Sequence, residues 1–168
     1  MVIGCCGAGK STFSKALHAI TRLELIHLDQ HYWKPDWEET DSEQWRATVQ
    51  ELAGRPAWII DGNYGGTLDI RIERADTIIY LDYPTWKCLW RVIKRILKYR
   101  GRERPDMPKG CRERFDWNFL HYVATFNWRK RGPMMQKLNA LKQEKRVEIF
   151  QNDQDAIRFL EHYQRENL

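Results

Sequence analysis

An eight-residue stretch near the start of the chain has the residue types and spacing that bind phosphate. Residues 4–11 read Gly-Cys-Cys-Gly-Ala-Gly-Lys-Ser, which fits the pattern G-x-x-x-x-G-K-[ST] at every fixed position. Glycines let the backbone turn so that successive N–H groups point at one phosphate, and the helix that follows adds its positive dipole end. The lysine of such a loop reaches the outer phosphates of a nucleotide, and the serine hydroxyl binds Mg²⁺. The predicted phosphate-binding residues are Gly4, Gly7, Ala8, Gly9, Lys10, Ser11 and Thr12, with Ser11 also a metal ligand.

The residues on either side give this motif the context that it needs. Val2 and Ile3 read as the end of an apolar strand, and Phe13, Leu17 and Ile20 recur with helical spacing. Strand, glycine-rich loop and helix is the order that a phosphate-binding loop requires. The strand before the loop is short, so we expect either a clipped strand or a start codon further upstream.

Three aspartates stand at the ends of predicted strands: Asp29, Asp61 and Asp82. The carboxyl ends of parallel strands share one edge of a sheet, so these side chains are expected beside the loop. We predict that Asp61 orders the waters of Mg²⁺, and that Asp29 accepts the proton of an acceptor hydroxyl or binds the acceptor. A turn-forming Asp-Gly for Asp61 and a cap for Asp29 stay open as alternatives. Asp82 is interpreted as a structural strand end.

Arginines that could neutralise a transferred phosphoryl group occur in and around an irregular stretch of the sequence. Residues 101–110 contain two prolines and two glycines, and arginines occur throughout their neighbourhood. Such a segment is typical of a mobile lid that excludes water and brings positive charge to the site. The guanidinium fork grips phosphate bidentately. We predict a lid at about residues 100–115, with Arg95, Arg102 and Arg104 acting in catalysis; which arginine reaches the phosphate stays open.

The charge of the chain is segregated along the sequence. The net charge is +5 over 168 residues, yet residues 87–131 hold fourteen Lys and Arg against four Asp and Glu, a net charge of +10. A basic segment of this density favours the phosphates of a nucleotide or of nucleic acid, unless it is a solvated helix face. The four cysteines form no C-x-x-C pair, so no structural zinc site is predicted. No apolar run approaches the roughly 20 residues of a membrane span, and no signal peptide is recognised; we expect a cytoplasmic protein without a membrane partner.

Hydrophobic periodicity predicts the elements that position these residues. The predicted strands cover residues 2–3, 24–28, 58–60, 77–81 and 147–150. After the helix of the phosphate-binding motif, the predicted helices cover about 40–52, 67–75, 85–99, 111–131, a stretch from there to about 145, and 153–163. A capping box of Thr40 and Glu43 is expected to open the helix at 40, and Gly132-Pro133 is expected to break the one that ends at 131. Strands alternating with helices predict an α/β fold with a five-stranded parallel sheet flanked by helices, as one domain over residues 1–168.

Taken together, these residues resemble a family of bacterial proteins. The matching positions are residues 4–11, 28–33, 61–64, Arg71, 75–77, 81–82, Arg91, Arg95, 100–107 and 110–111. This combination is similar to the DNA topology modulation (FlaR-related) proteins, which belong to the adenylate-kinase-like branch of P-loop folds. The resemblance spans nearly the whole chain and implies a three-layer P-loop NTPase fold, an ATP-binding core and an arginine-rich lid, in a small kinase that uses ATP and Mg²⁺.

The same resemblance implies where an acceptor binds. Asp61-Gly62 matches the Asp-Gly of nucleoside monophosphate kinases, and Arg71 falls near their acceptor phosphate. Asn63-Tyr64 stands in place of the Phe-Pro-Arg of adenylate kinases, whereas residues 29–33 are similar to hydroxyl-phosphorylating enzymes of the uridine kinase type. The acceptor therefore carries either a hydroxyl or a phosphate. The predicted acceptor-binding residues are Asp29, Tyr32, Trp33, Asn63, Tyr64 and Arg71, in an acceptor-side helical region at about residues 30–55.

Two classes of function compete at this point. The first is a kinase that transfers a phosphoryl group from ATP to a small acceptor, such as a nucleotide, a nucleoside or a similar metabolite. The second is an ATP-regulated DNA-binding or ATPase switch protein, supported by tryptophans that interleave the basic segment. Those tryptophans are Trp86, Trp90, Trp117 and Trp128. Because they sit at apolar helical positions, we expect them to face the core, and we favour the kinase.

Overall fold

A five-stranded parallel sheet, covered on both faces by helices, forms the centre of the protein. The computed structural model describes residues 1–104 and 107–166, the last of these by its backbone alone; Pro105 and Asp106 of the predicted lid lie outside the described residues. The strands are β1 (Val2–Gly4), β2 (Leu25–His27), β3 (Trp33–Lys34), β4 (Glu38–Glu39), β5 (Ile59–Asp61), β6 (Thr77–Leu81) and β7 (Arg146–Phe150). The parallel sheet has the order β2-β5-β1-β6-β7, and β3 pairs with β4 in a small antiparallel hairpin.

The helices fill both sides of this sheet. They are α1 (Lys10–Thr21), α2 (Leu28–Tyr32), α3 (Ser42–Ala53), α4 (Leu68–Arg74), α5 (Thr85–Tyr99), α6 (Trp117–Phe126), α7 (Gly132–Leu141) and α8 (Asp153–Glu166). Along β6, Ile79 and Leu81 pack against α1, α5, α6 and α8, whereas Ile78 and Tyr80 pack against α4 and α7. Burial on alternate faces is what a strand covered on both sides requires. The α/β fold predicted from the sequence is confirmed.

The inward face of α5 differs from the apolar stripe that periodicity predicts. Helical spacing predicts a stripe of Trp86, Leu89, Trp90, Ile93 and Leu97. Trp86, Trp90 and Leu97 are instead 57–70% exposed, whereas Cys88 and Val92 are fully buried. The helix lies so close to the glycine-rich loop that a Cβ on Gly7 would come within 2.4 Å of the carbonyl oxygen of Cys88. Only small side chains fit at such a contact, so the face with cysteine and valine turns inward. The expectation that the tryptophans of the basic segment face the core is wrong.

Two predicted helix boundaries also differ from the structure. α3 is capped by Asp41, whose carboxylate accepts hydrogen bonds from the amides of Glu43 and Gln44 at 2.9 and 3.3 Å, so the capping box expected at Thr40 does not form. The chain remains helical through Gly132 and Pro133, because a π-helical turn at Asn127–Arg131 joins α6 to α7. The wider turn accommodates a proline that would clash in a regular α-helix.

The sheet places the glycine-rich loop in the middle of its carboxyl edge. β1 lies at the centre of the sheet between β5 and β6, and the loop that follows it leads into α1. The ends of β2 and β5 lie on one side of that loop, which brings the acidic residues after these strands to the same edge. None of the helices in the described part of the chain is both long enough and apolar enough to cross a membrane.

Candidate functional site

The glycine-rich loop, residues 4–11, has the backbone of a phosphate cradle. Gly4, Gly7 and Gly9 have φ values of 145°, 84° and 95°, in the region that only glycine enters readily. α1 begins directly after Gly9, and the residues of its first turn (Lys10, Ser11, Thr12 and Phe13) include no acid. The first amides of the helix therefore have no internal acceptor and no competing carboxylate. This is the geometry that an anion needs.

The side chain of Lys10 folds back over the loop. Its ammonium donates to the carbonyl oxygens of Gly4 and Cys5 at 2.9 and 3.1 Å. A backbone hydrogen bond inside the loop, from the amide of Ala8 to the carbonyl of Cys5 at 3.0 Å, stabilises its turn. Both carbonyl contacts of Lys10 are weak enough, as neutral acceptors in a half-exposed site, to be exchanged for phosphate oxygens. The ammonium is thus held at the loop and available to an anionic ligand.

An ion-pair cluster fixes the far side of the loop to α5 and α8. Arg91 donates to the carbonyl of Ala8 at 3.3 Å and to both carboxylate oxygens of Asp153 at 2.8 Å. Lys87 lies 2.7 Å from the same carboxylate. Burial opposes ionisation of Asp153, but the hydrogen bonds from Arg91 and Lys87 outweigh it and lower its pKa to about 2. The cluster holds three elements around the loop.

Asp61 ends β5 in a buried pair with histidine. Its carboxylate Oδ2 lies 2.8 Å from Nδ1 of His27, the last residue of the adjacent strand β2, and both side chains are at least 90% buried. An ionised carboxylate can only accept, so His27 donates this hydrogen bond. The imidazole therefore fixes the orientation of the predicted metal carboxylate. Nothing in the sequence pattern assigned a role to His27.

The turn after β5 connects this acid to the loop. Asn63 Oδ1 accepts a hydrogen bond from the amide of Gly4 at 2.9 Å. Arg71, from α4, is fully buried and donates to the carbonyl oxygens of Gly62, Asn63 and Tyr64 at 2.7, 2.6 and 3.0 Å. Burial lowers the pKa of its guanidinium only to about 10, so it stays charged at neutral pH. Arg71 thus holds the turn in place.

Asp29 lies beyond this turn, in the first helical turn of α2 and not at the end of β2 as the sequence predicts. Its Oδ1 accepts a hydrogen bond from the hydroxyl of Tyr64 at 2.5 Å. Tyr64 in turn packs against Tyr32 and Trp45, with ring centroids 4.6 and 4.9 Å apart. Trp33 meets Tyr32 edge to face at 5.0 Å. A carboxylate thus stands at the rim of an aromatic cluster.

The lid contributes arginines that are organised by a buried glutamate. Glu113 is 4% exposed and lies 3.4 Å from Arg95 and 3.0 Å from Arg104. Backbone bridges between residues 100 and 113, and between 103 and 112, give the segment its shape. Arg102 joins it through backbone contacts to Tyr99 and Glu113, while its side chain is exposed. Arg95 and Arg104 are therefore held inward, and Arg102 faces solvent.

These elements meet at Cys6, inside the glycine-rich loop. Burial raises the pKa of its thiol; Lys10, Arg95 and Arg104 lower it, and Asp29 raises it. Charges perturb a pKa in this way only from nearby. Charged groups from α1, α2, α5 and the segment predicted as a lid thus lie near enough to the loop to affect this thiol.

The segment predicted as a lid also contacts the region predicted to bind the acceptor. The indole Nε1 of Trp37 donates to the carbonyl of Arg112 at 2.9 Å, and the amide of Asp36 donates to the carbonyl of Gly110 at 3.3 Å. A Cβ on Gly110 would lie 2.9 Å from the Cβ of Pro35, so glycine permits this approach. The residues between β3 and β4 are therefore in direct contact with residues 110–112.

Sequence reasoning missed three further residues of this site. His27 and Glu113 position charged partners from buried locations, and sequence patterns give no sign of which lone histidine or glutamate will be buried. Tyr122 of α6 also approaches the loop; burial and the neighbouring thiols of Cys6 and Cys5 raise the pKa of its hydroxyl. Its position follows from the packing of α6 on α5, which no local pattern predicts.

No group of three or more His, Cys, Asp or Glu side chains is placed to hold a metal ion in the described ranges 1–104 and 107–166. Mg²⁺ bound through substrate phosphates and water needs only one or two protein ligands. Ser11 opens the first turn of α1, and the strand of Asp61 pairs with β1, which carries the loop. The predicted metal residues are thus compatible with a phosphate-bound ion.

Two solved structures of kinases have a fold similar to that of this chain. A sugar kinase from Janibacter sp. HTCC2649, in unliganded form, aligns with a TM-score of 0.51 at 19% identity, over 96% of this chain and 88% of that chain. A candidate kinase from Chloroflexus aurantiacus J-10-fl aligns with a TM-score of 0.52 at 16% identity, over 99% of this chain and 97% of that one. The chain has a kinase-like α/β fold. At these identities the likeness concerns the fold alone.

No protein-family profile matches the chain, and no curated protein sequence does. The resemblance to the topology modulation proteins therefore rests on the residues quoted for it in the sequence. The assignments of individual side chains in this kinase-like fold rest on the geometry described above.

Proposed function

We propose that the protein is an ATP- and Mg²⁺-dependent kinase that phosphorylates a hydroxyl group of a small acceptor. The observation that carries this proposal is the glycine-rich loop, whose glycines have positive φ values, whose Lys10 ammonium is bound over the loop carbonyls, and whose strand β1 pairs with the strand that ends at Asp61. The charges of Lys10, Arg95, Arg104 and Asp29 lie near this loop. Phosphoryl transfer depends on positioning and charge neutralisation more than on covalent chemistry. Three cations and one carboxylate around a phosphate cradle are the groups that this reaction needs.

The loop binds the donor. The amides of residues 7–12 receive the phosphates of ATP, supported by the N-terminal end of α1. Lys10 leaves the carbonyls of Gly4 and Cys5 and binds the outer phosphates in their place. Arg95 and Arg104, held by Glu113, neutralise charge on the phosphoryl group as it moves. The contact between the lid and the β3–β4 hairpin keeps water away from that group.

Ser11 and Asp61 are the residues that would hold Mg²⁺. The site fits the ion because the positive φ values of Gly4, Gly7 and Gly9 give the loop the backbone of a phosphate cradle, and because a buried carboxylate ends the neighbouring strand β5. Bound Mg²⁺ supplies positive charge to the β- and γ-phosphates. His27 keeps the carboxylate of Asp61 in one orientation.

Asp29 serves the acceptor. The acceptor oxygen forms a bond to the γ-phosphorus, the bond from phosphorus to the β,γ-bridging oxygen breaks, ADP leaves, and the hydroxyl proton passes to Asp29. Tyr64 holds the carboxylate in place, and the rings of Tyr32 and Trp33 offer an apolar wall to the acceptor. Arg71 is occupied by three carbonyl groups, so the cation that would grip an acceptor phosphate is turned away. The description of one fold relative as a sugar kinase agrees with a hydroxyl acceptor.

The decisive experiment incubates purified protein with ATP and Mg²⁺ and a panel of sugars, polyols, nucleosides and nucleoside monophosphates. We expect transfer to one hydroxyl class and no transfer by the Lys10→Ala variant, whose fold is checked by circular dichroism. Absence of any phosphorylated product would contradict the kinase. A product from monophosphates alone would refute the hydroxyl acceptor, and hydrolysis stimulated only by a protein would indicate an ATPase switch.

A further inference from the structure

Exposed apolar side chains are concentrated in one segment of the sequence. Of the nine large hydrophobic side chains that are exposed in the described residues, eight lie between residues 86 and 128. They are Trp86, Trp90, Ile93, Leu97, Phe115, Trp117, Tyr122 and Trp128, and the ninth is Ile157. Single exposed apolar residues are normal on protein surfaces, but a cluster of this kind marks an interaction site.

Four of these residues form a stripe along α5, defined here as Trp86, Trp90, Ile93 and Leu97. A helix turns by about 100° per residue, so the four side chains fall within an arc of about 60° over three turns. Trp86 and Leu97, at the two ends, are 69% and 70% exposed. The stripe is separate from the face of α5 that packs on the glycine-rich loop, since that face carries Cys88 and Val92.

The polar side of α5 is uniformly basic. The helix contains five Lys and Arg residues and no acid. Lys87 and Arg91 bind Asp153, and Arg95 binds Glu113. Lys94 and Lys98 are exposed beside the stripe, and the Lys94 ammonium lies 5.5 Å from the centre of the Trp90 ring. Apolar and cationic groups therefore face solvent together.

We propose that the stripe of α5 docks on an anionic lipid surface. An amphipathic helix with aromatic and aliphatic residues on one side and lysines next to them lies in the plane of a membrane interface, with its apolar side among the acyl chains. Tryptophan concentrates at that depth because its ring is apolar and its N–H is polar. Lys94 and Lys98 add attraction to anionic headgroups. This peripheral contact requires no membrane-spanning helix.

Charge disfavours a second copy of the chain as the occupant. A two-fold interface brings the same patch against itself. Lys94 and Lys98 are exposed beside the stripe and α5 contains no acid, so pairing would oppose two surfaces of like charge. An anionic surface has the complementary charge.

The aliphatic half of the stripe disfavours nucleic acid. Bases stack on aromatic rings, and Trp86 and Trp90 could serve that purpose. Ile93 and Leu97 continue the stripe for two further turns, however, and their side chains have no stacking partner in a nucleic acid. Hydrocarbon chains accept all four residues.

The test is co-sedimentation of the full chain with vesicles of equal parts phosphatidylcholine and phosphatidylglycerol. We expect the wild type to bind these vesicles, to bind pure phosphatidylcholine far less, and to lose binding as salt rises. The Trp90→Glu/Leu97→Glu variant should lower the partition coefficient by about tenfold or more, and Lys94→Glu/Lys98→Glu by a similar factor. All four positions are exposed, so these variants keep their fold, which ATP binding and circular dichroism check.

Two matched controls separate the stripe from general effects. Ile157→Glu alters an exposed apolar residue of α8. Lys137→Glu/Lys142→Glu changes the charge as much as Lys94→Glu/Lys98→Glu does, at two exposed lysines, one in α7 and one directly after it. Both should bind vesicles as the wild type does. The proposal is overturned if the wild type does not bind anionic vesicles, if it binds neutral ones equally, or if the controls lose binding too. It is equally overturned if the stripe variant instead dissociates a dimer in sedimentation velocity, or abolishes binding to oligothymidine.

Discussion

Tyr64 donates a hydrogen bond from its hydroxyl to Oδ1 of Asp29 at 2.5 Å. The two residues belong to different connections of the sheet, one after β5 and one after β2. Tyr64 has a φ of 28°, a left-handed conformation that costs energy for a residue with a side chain. The carbonyl of this same residue is held by Arg71 at 3.0 Å. A buried guanidinium therefore maintains the strained residue that orients the candidate base.

Replacement of Tyr64 by phenylalanine tests that orientation. Burial and the nearby charge of Asp29 raise the pKa of Tyr64, so its hydroxyl is a donor at neutral pH. Loss of a hydrogen bond to a charged group is worth about 1.5–3 kcal/mol, and we expect kcat to fall by about tenfold or more while the KM for ATP is unchanged. Steady-state kinetics with the identified acceptor measure both.

Tyr32→Phe is the matched control for this prediction. Its hydroxyl donates to Glu39 at 3.0 Å in the exposed hairpin, away from Asp29. We expect its kcat to stay within about twofold of the wild type, because surface hydrogen bonds contribute little. Equal losses in the two variants would mean that the aromatic cluster, and not the contact with Asp29, supports activity.

The buried cation Arg71 should be a major contributor to stability. Arg71→Met removes the donor to three carbonyl groups in a buried turn, and each unsatisfied polar group costs about 1–3 kcal/mol. We expect the free energy of unfolding, measured in urea, to fall by about 3 kcal/mol or more. Arg74→Met on the same helix removes one weak contact to the carbonyl of Ala53 at 3.4 Å and should cost less than about 1 kcal/mol. If Arg71→Met lowers the free energy of unfolding no more than Arg74→Met does, the hydrogen bonds of Arg71 do not stabilise the turn.

The fold follows from sequence where local signals agree with tertiary packing. The strand at Thr77–Leu81 and the helix at Thr85–Tyr99 have the bounds that periodicity predicts. The rotation of that helix about its own axis does not agree with the prediction. Apolar residues occupy two sides of the helix, and the sequence alone does not say which side packs on the core. The close contact between Gly7 and the Cys88 carbonyl selects the side with small residues. This tertiary contact overrides the apolar stripe that periodicity predicts.

Sequence patterns predict some residues of the candidate site and miss others. The glycine-rich loop, Asp61 and the inward arginines have residue types and spacing that carry chemical meaning. His27 and Glu113 have no such pattern, since their importance arises from partners that are distant in the chain and become neighbours only on folding. Family resemblance predicts an acceptor contact for Arg71, which stays a prediction, and gives no sign of its hydrogen bonds to the backbone of residues 62–64.

The pair of Asp153 with Arg91 and Lys87 predicts a dependence of stability on pH. A carboxyl whose folded pKa is depressed to about 2 contributes stability above its unfolded pKa, about 4, and loses that contribution as pH falls towards 2. The Asp153→Asn variant should therefore have a lower Tm than the wild type at pH 6, and the difference should vanish near pH 2. Thermal unfolding at several pH values measures this. A difference that persists in acid would mean that packing of Asp153, and not its charge, is what stabilises the contact.

The contact of His27 with Asp61 offers the sharpest test of the predicted metal role. Partners that orient a metal carboxylate change metal affinity by about 10–100-fold when removed. His27→Ala should raise the Mg²⁺ concentration for half-maximal activity by about tenfold, and Asp61→Asn by more, without a change in the KM for the acceptor. His27→Asn keeps a donor near the position of Nδ1 and should recover most of the affinity, which separates hydrogen bonding from loss of volume in the buried site. Thermal unfolding of each variant shows whether the fold is retained. If Asp61→Asn titrates with Mg²⁺ as the wild type does, the buried pair is a structural link between β2 and β5, and Ser11 is left as the protein's contribution to the metal.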